Sequence, residues 1–268
     1  MSSTITIRHV RIEEPVFFDH YYDLSFISDS DSYQDIPFEL GYITNANDSR
    51  TVVEVSFPEH PDLYGMASEY NMHGFGWGYE EREQHGDIFG QYSVRTVYLQ
   101  MRMYDIEEDR TITKAELYFS DGSNMVVDIG QINLYKHEHS PNLLKHMSGS
   151  ASSAGTSESR YNVLEEISIL KIEGPLYEKF DHRIEIEMNG VDSDTLHDMG
   201  GLSVEKGHNL TLFSRVKPVD EILERYTRFD IHPELIILGE DGNRQSLRIY
   251  NTSSEDYRYH FMDLYRYT

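Results

Sequence analysis

Cysteine is absent from the 268 residues, which excludes disulfides, thiolate-bound zinc and a cysteine nucleophile and leaves the compartment open. Long apolar runs are absent too. None approaches the ~18 residues of a membrane span, and the opening MSSTITIRHVRIEE has neither the basic nor the apolar region of a signal peptide. Basic residues are scarce: 23 Lys and Arg stand against 47 Asp and Glu, a net charge of −24. Such a body repels phosphate polymers and anionic lipid, so nucleic acid is excluded as a partner and a monomer is expected. Tryptophan occurs once, yet 20 Tyr and 12 Phe supply enough apolar surface for sizeable cores. The length suits two ordinary domains or one large sandwich or barrel.

Period-two alternation dominates what is there. Thr4–Ile12, Arg50–Phe57, Ser93–Tyr104 and Arg183–Met188 all alternate apolar with polar residues, as half-buried strands do. Asp121-Gly122 and Asp241-Gly242 lie between such runs and read as hairpin turns in which both residues tolerate positive φ. Helical spacing appears in Lys217–Phe229, where Val219, Ile222, Leu223, Tyr226 and Phe229 recur behind Pro218. The fold class expected is all-β: two tandem, related antiparallel β-sandwich domains of immunoglobulin-like or jelly-roll-like kind, with one short helix near 218–229.

The relation between the halves rests on three similarities in the same order. VRIEEPVF (Val10–Phe17) matches LKIEGPLY (Leu170–Tyr177), the Asp-Gly turns recur, and INLYK (Ile132–Lys136) matches MDLYRY (Met262–Tyr267). The expected division is residues 1–140, a Ser/Gly-rich linker or hairpin at 141–164, and residues 165–268. The first half carries a surplus, an insertion at about 58–92 that includes NMHGFGWGYEEREQHGD. A hairpin at 141–164 would have its counterpart upstream of Met1, which points to a chain cut from something longer.

That insertion carries the candidate site. GFGWG is not a dinucleotide fingerprint, because the spacing is G-x-G-x-G and no βαβ pattern surrounds it. Trp77 between glycines either plugs its own sandwich or joins Phe75, Tyr79 and Tyr70 in a recognition platform, such as the exposed rings that stack on sugar faces. His73, Glu81 and His85 are donors suited to zinc, and Asp29 and Asp31 open an acidic stretch that resembles the start of a calcium loop, though Leu40 stands where its terminal glutamate belongs. The expectation is therefore no cofactor, with acidic turns and a solvated charged run as the default and calcium or zinc as the alternative. Ser168 and Lys171 have the S-x-x-K spacing of penicillin-binding enzymes, but they fall on an expected strand rather than at a helix start.

The stretch ITKAELYFSDGSNMVVDIGQINLYK (Ile112–Lys136), followed by a serine-rich segment and NVLEEISILKIEGPL, resembles uncharacterised membrane-anchored β-sandwich surface proteins of Gram-positive bacteria. The resemblance covers residues 112–176, carries no catalytic motif and implies an extracytoplasmic location, the alternative being cytoplasmic. The function it implies is a non-enzymatic binding or interaction module of the cell envelope, whose partner is an envelope protein or glycan. A carbohydrate-binding module is the alternative, followed by a metal-dependent or glycoside hydrolase.

Overall fold

The computed structural model describes residues 11–26, 34–69, 86–103, 108–136, 142–152, 155–250, 252–253 and 258–268. In chain order its strands are β1 (Val16–Phe17), β2 (His20–Phe26), β3 (Gln34–Asn45), β4 (Val52–Ser56), β5 (Tyr64–Ser68), β6 (Asp87–Phe89), β7 (Tyr92–Met103), β8 (Arg110–Phe119) and β9 (Asn124–Lys136). They continue as β10 (Leu144–Ser152), β11 (Thr156–Val163), β12 (Ile167–Glu173), β13 (Ile184–Met188), β14 (Val191–Asp192), β15 (Leu202–Val204), β16 (Asn209–Val216), β17 (Arg228–Ile231), β18 (Glu234–Gly239), β19 (Arg244–Arg248) and β20 (Thr252–Ser253). The helices are α1 (Pro175–Phe180), α2 (Ser193–Met199), α3 (Ile222–Tyr226) and α4 (Phe261–Tyr267). The fold is an all-β sandwich fold.

The chain divides into two compact units, and neither is one contiguous span. Unit 1 comprises Met1–His20, Phe26–Ile132 and Arg258–Thr268; unit 2 comprises Tyr21–Ser25 and Asn133–Tyr257. In unit 1 the strands follow the order β1-β3-β7-β5-β4-β8-β9, with β6 also paired to β7. β3 pairs with β7 along all 12 of its residues. Alternation sets the faces: Ile36, Phe38 and Leu40 are buried, whereas Asp35, Pro37 and Glu39 point outward. In unit 2 one sheet runs β10-β11-β16-β13-β14 and another β15-β12-β18-β19. Val163, Ile167, Ile169, Leu210, Leu212 and Leu235 belong to one buried cluster of this unit.

Both Asp-Gly sites are hairpin turns, but only glycine uses the left-handed region. Gly122 has φ 85° and Gly242 φ 79°, while Asn189 is the one non-glycine residue with positive φ among the described residues. Gly122 donates to the Phe119 carbonyl at 2.9 Å, and the Asp121 carboxylate accepts from the Ser123 N–H, also at 2.9 Å. The aspartate therefore staples the turn with its side chain, and the glycine supplies the handedness. A two-residue Asn189-Gly190 turn, in the sequence MNGV, joins β13 to β14, with both residues at positive φ. Residues 144–163 form a hairpin rather than a linker: β10 pairs with β11 from Leu144↔Val163 to Ser152↔Thr156, turning at Gly155 with φ 74°.

Among the described residues there are four short helices where a single one was expected. α2 is stopped by signals at both ends, an Asp192 side chain accepting from Thr195 N–H at 2.7 Å and Gly200 at φ 71°. α1, α2 and α4, of six or seven residues, are too short to show a helical period of their own. α3 is shorter than Lys217–Phe229; Glu221 caps it and Phe229 belongs to β17.

Two of the three landmarks of the proposed repeat carry different structure in the two halves. Pro15 leads into β1, whereas Pro175 is the first residue of α1, where a fixed φ and a missing N–H cost nothing. INLYK lies in β9, whereas MDLYRY lies in α4.

α4 belongs to unit 1, not to the half that precedes it in sequence, and aromatic rings hold it there. Phe18 stacks on Tyr259 at 5.7 Å and meets Tyr267 edge-on at 5.2 Å, and Tyr92 stacks on Phe261 at 5.8 Å. Leu264 is fully buried. Leu264→Ala is expected to lower the unfolding free energy by about 3 kcal/mol, as other fully buried leucines do. Urea denaturation measures this, and a loss under about 0.5 kcal/mol, the range of surface substitutions, contradicts the docking described.

Candidate functional site

Unit 1 is organised around a buried charged network that joins four of its strands. Glu69 follows β5 directly, with its side chain only 2% exposed. One of its oxygens accepts from the Tyr42 hydroxyl of β3 at 2.6 Å and from the Val52 N–H of β4 at 2.6 Å. The other lies 3.6 Å from the Arg95 guanidinium of β7 and has no hydrogen-bond partner among the described residues. Arg95 in turn donates to the carbonyls of Arg50, at 2.6 Å, and of Asp48. Burial, then the charge and the hydrogen bond of Glu69, push the Tyr42 hydroxyl far above the usual tyrosine range, so it acts as a donor and not as a base.

The loop between β3 and β4 is closed by a second, more exposed set. Arg50 forks onto Asp48 at 3.1 and 2.9 Å, Thr44 donates to Asp48 at 2.8 Å, and the Arg50 guanidinium sits over the Phe119 ring at 5.1 Å. Burial raises the Asp48 carboxyl, but donation from the Arg50 side chain and backbone and from Thr44 outweighs it and holds the group down at about 2.

On the opposite face of the same strands lies a depression of about 740 Å³. The pairing register builds its floor row by row. Pro37 of β3 pairs with Gln100 of β7, Gln100 with Met66 of β5, and Met66 with Glu54 of β4. One row along, Glu39 pairs with Tyr98 and Tyr98 with Ser68; on the other side Arg102 pairs with both Asp35 and Tyr64. Arg102 is bonded to Asp35 at 3.2 Å. Three large apolar side chains face solvent here: Tyr64 is 41% exposed, Met66 49% and Val53 51%. An outward sheet face carries polar residues by default, so three such neighbours set this part of the face apart. Tyr64 and Tyr98 stand four residues apart along the β7 register, which at strand spacing is about 14 Å. Glu39 and Glu54 are separated by three strand gaps, again about 14 Å.

In unit 2 the polar residues are arranged for structure. The Asp23 carboxylate accepts from Asn133 at 2.9 Å and from the His232 N–H at 2.9 Å, while the His232 ring lies between the Tyr135 hydroxyl at 2.8 Å and Asp230 at 3.3 Å. Arg248 lies over the Tyr135 ring at 3.5 Å. Burial pushes the Tyr135 hydroxyl well above its usual range, which disqualifies it as a nucleophile. Ser168 and Lys171 sit on β12, with Lys171 paired to Glu173, so the S-x-x-K reading has no helix start to act from.

The residues singled out in the sequence, Tyr70, His73, Phe75, Trp77, Tyr79, Glu81, His85, Asp29 and Asp31, all lie outside the described residues. Among the described residues no three His, Asp or Glu side chains stand together in a metal-holding group. The outer-face depression escaped sequence reading because its members alternate along four strands whose partners are far apart in the chain. The only trace was Met66 and Tyr64 on the outward phase of a short strand.

No family model matches the chain. No curated protein sequence matches it either. Among solved structures it is similar to the D00-D0 domain of intimin, at 8% identity and TM-score 0.23 over 91% of this chain and 100% of that one. Fibronectin(III)-like modules of Clostridium thermocellum CbhA match at 9% identity and TM-score 0.19, over 92% and 97%. The Pseudomonas aeruginosa CupB2 chaperone matches at 7% and 0.17, over 87% and 97%. Likeness of that degree says nothing about activity or ligand. No helix among the described residues is long and apolar enough to cross a membrane.

The Asp48 geometry fixes a pH dependence. Its folded pKa lies below the ordinary value of about 4, so its stabilisation is complete above about pH 4 and is lost as pH falls towards 2. Asp48→Asn is expected to lower the thermal midpoint near neutral pH, with the gap to the unaltered protein closing towards about pH 2. A gap that persists unchanged in acid contradicts the assignment.

Proposed function

We propose that the chain is a non-enzymatic, extracytoplasmic binding module of the bacterial cell envelope, and that the outer-face depression of unit 1 holds its ligand. The observation that carries this is the uncovered group of Tyr64, Met66 and Val53 on a sheet face that is otherwise expected to be polar. The volume falls in the range of ligand-binding clefts, about 300–1,000 Å³. The resemblance of residues 112–176 to anchored surface proteins supports the location. Glu39 and Glu54 in the lining, with Arg102 turned to Asp35, favour an uncharged or cationic ligand over an anion.

Within this reading a carbohydrate ligand is favoured by one feature. Tyr64 and Tyr98 stand about 14 Å apart with Gln100 and Ser68 along the line, rings for sugar faces and polar groups for hydroxyls. A glycoside hydrolase fits less well. Side chains stand roughly perpendicular to a sheet, so two carboxylates three strands apart exceed the roughly 5–10 Å separation that such catalysis needs.

The test is binding of neutral cell-wall oligosaccharides to the whole chain by calorimetry. Tyr64→Ala and Met66→Ala are expected to reduce affinity at least about tenfold, as loss of interface anchors does, while leaving the thermal midpoint nearly unchanged because both side chains are exposed. Binding that survives both substitutions places the ligand elsewhere and refutes the proposal.

A further inference from the structure

A β-bulge decides what the groove of unit 1 offers a ligand. Along β4, Val52 pairs with Phe119 of β8 and Glu54 with Tyr118, so Val53 and Glu54 together oppose one residue. Val52 and Val55 are buried, at 1% and 0%, and the two residues between them are both exposed. Unbroken alternation from Val52 would turn Glu54 into the core; the extra residue turns it outward. Bulges that re-aim a side chain in this way are over-represented next to active sites.

The carboxylate so delivered has apolar neighbours. Its cross-strand partners are Met66 of β5 and Tyr118 of β8, which share its face with Cβ atoms about 5 Å away. Val53 precedes it, and Tyr64, paired with Ser56, lies diagonally across on β5. Glu116, two residues along β8 from Tyr118, is engaged by the Asn124 amide at 2.9 Å. Glu54, by contrast, makes no hydrogen bond or ion pair among the described residues. The described lining of the depression contains no Lys, Arg or His. Charge and rings together favour one kind of guest, a cation drawn by the carboxylate and by the face of a tyrosine ring within about 6 Å.

We infer that the groove selects a saccharide with a free, protonated amino group, an amino sugar without its N-acyl cap, whose ammonium sits on Glu54 beside Tyr118. The inference rests on the groove and on the carbohydrate reading proposed above, and it adds the residue that reads the sugar's charge. A body of net charge −24 draws any cation towards it. That pull is spread over the whole surface, whereas the preference assigned to Glu54 is local to one carboxylate.

Calorimetry of the whole chain tests this with an oligomer of glucosamine and with the same oligomer N-acetylated, in mildly acidic buffer where the sugar amines are charged. The free-amine oligomer is expected to bind about tenfold tighter or more, the order expected of unit charges a few ångström apart near a protein surface. That preference narrows as ionic strength goes from about 0.01 M to about 1 M, where the Debye length shrinks from about 30 Å to about 3 Å. Glu54→Gln is expected to bring the ratio of the two affinities close to one, with an unchanged thermal midpoint because the side chain is exposed. Asp198→Asn, at an exposed position of unit 2, makes the same change in net charge and keeps the ratio. A ratio near one in the unaltered protein overturns the inference, as does a ratio that survives Glu54→Gln or falls equally with Asp198→Asn. Where the neutral oligomer still binds in those cases, the groove reading stands; if neither oligomer binds, both fail. An oligolysine peptide that binds as tightly, with the same dependence on Glu54, assigns the acid to a peptide partner and also overturns the inference.

Discussion

The contact between Glu69 and Arg95 is the constraint on which the architecture of unit 1 turns. Burying a carboxylate and a guanidinium is costly, and the cost is offset only where further hydrogen bonds satisfy both groups. Here Tyr42 and the Val52 N–H bond the carboxylate, and the carbonyls of Arg50 and Asp48 receive the guanidinium. Those partners come from β3, β4, β7 and the loop after β3, and Glu69 itself continues β5. The four strands locked on one face by this network are the four whose other face forms the depression. A charge network that fixes their mutual register therefore also sets which side chains meet along the groove, and a surface built this way is formed before any ligand arrives.

The aromatic excess has a structural explanation for much of its bulk. Phe18, Phe89, Tyr92, Tyr259, Phe261 and Tyr267 bind the C-terminal segment to unit 1 through ring contacts, and Phe180 and Phe229 stack at 5.8 Å in unit 2. Gly90 shows how close the first set comes: a side-chain carbon there would lie 2.9 Å from the Phe261 ring, at a backbone φ of 64° that also favours glycine. Tyr64 and Tyr98 do different work. They sit on the outward phase of their strands, where a ring adds little to a core.

Strand identity was legible because a two-residue period is a local property, and so were the hairpins at Asp121-Gly122 and Asp241-Gly242. The fate of MDLYRY was not. Its resemblance to INLYK is a matter of composition, whereas its structure is decided by the aromatic surface that it docks on, contributed by residues such as Phe18 and Tyr92 far away in sequence. The same holds for Glu69 and Arg95, since nothing local distinguishes a buried acid from the many solvated ones in so acidic a chain. The division into units followed from such long-range contacts, and for that reason the boundaries at 140 and 165 did not coincide with them. The glycine-aromatic insertion stands out because unusual composition is visible in a string; a groove assembled from alternate residues of four strands is not.

The account stands most directly on whether the outer face of unit 1 is where ligand is felt. Methionine-methyl NMR of the whole chain reads this without any substitution, because Met66 lies in the groove and half-exposed, Met147 and Met199 are exposed in unit 2, and Met101 and Met188 are buried. On titration with neutral cell-wall oligosaccharides the account predicts a saturable shift of the Met66 methyl with Met147 and Met199 unmoved. A saturable shift at Met147 or Met199 with Met66 unchanged would contradict it.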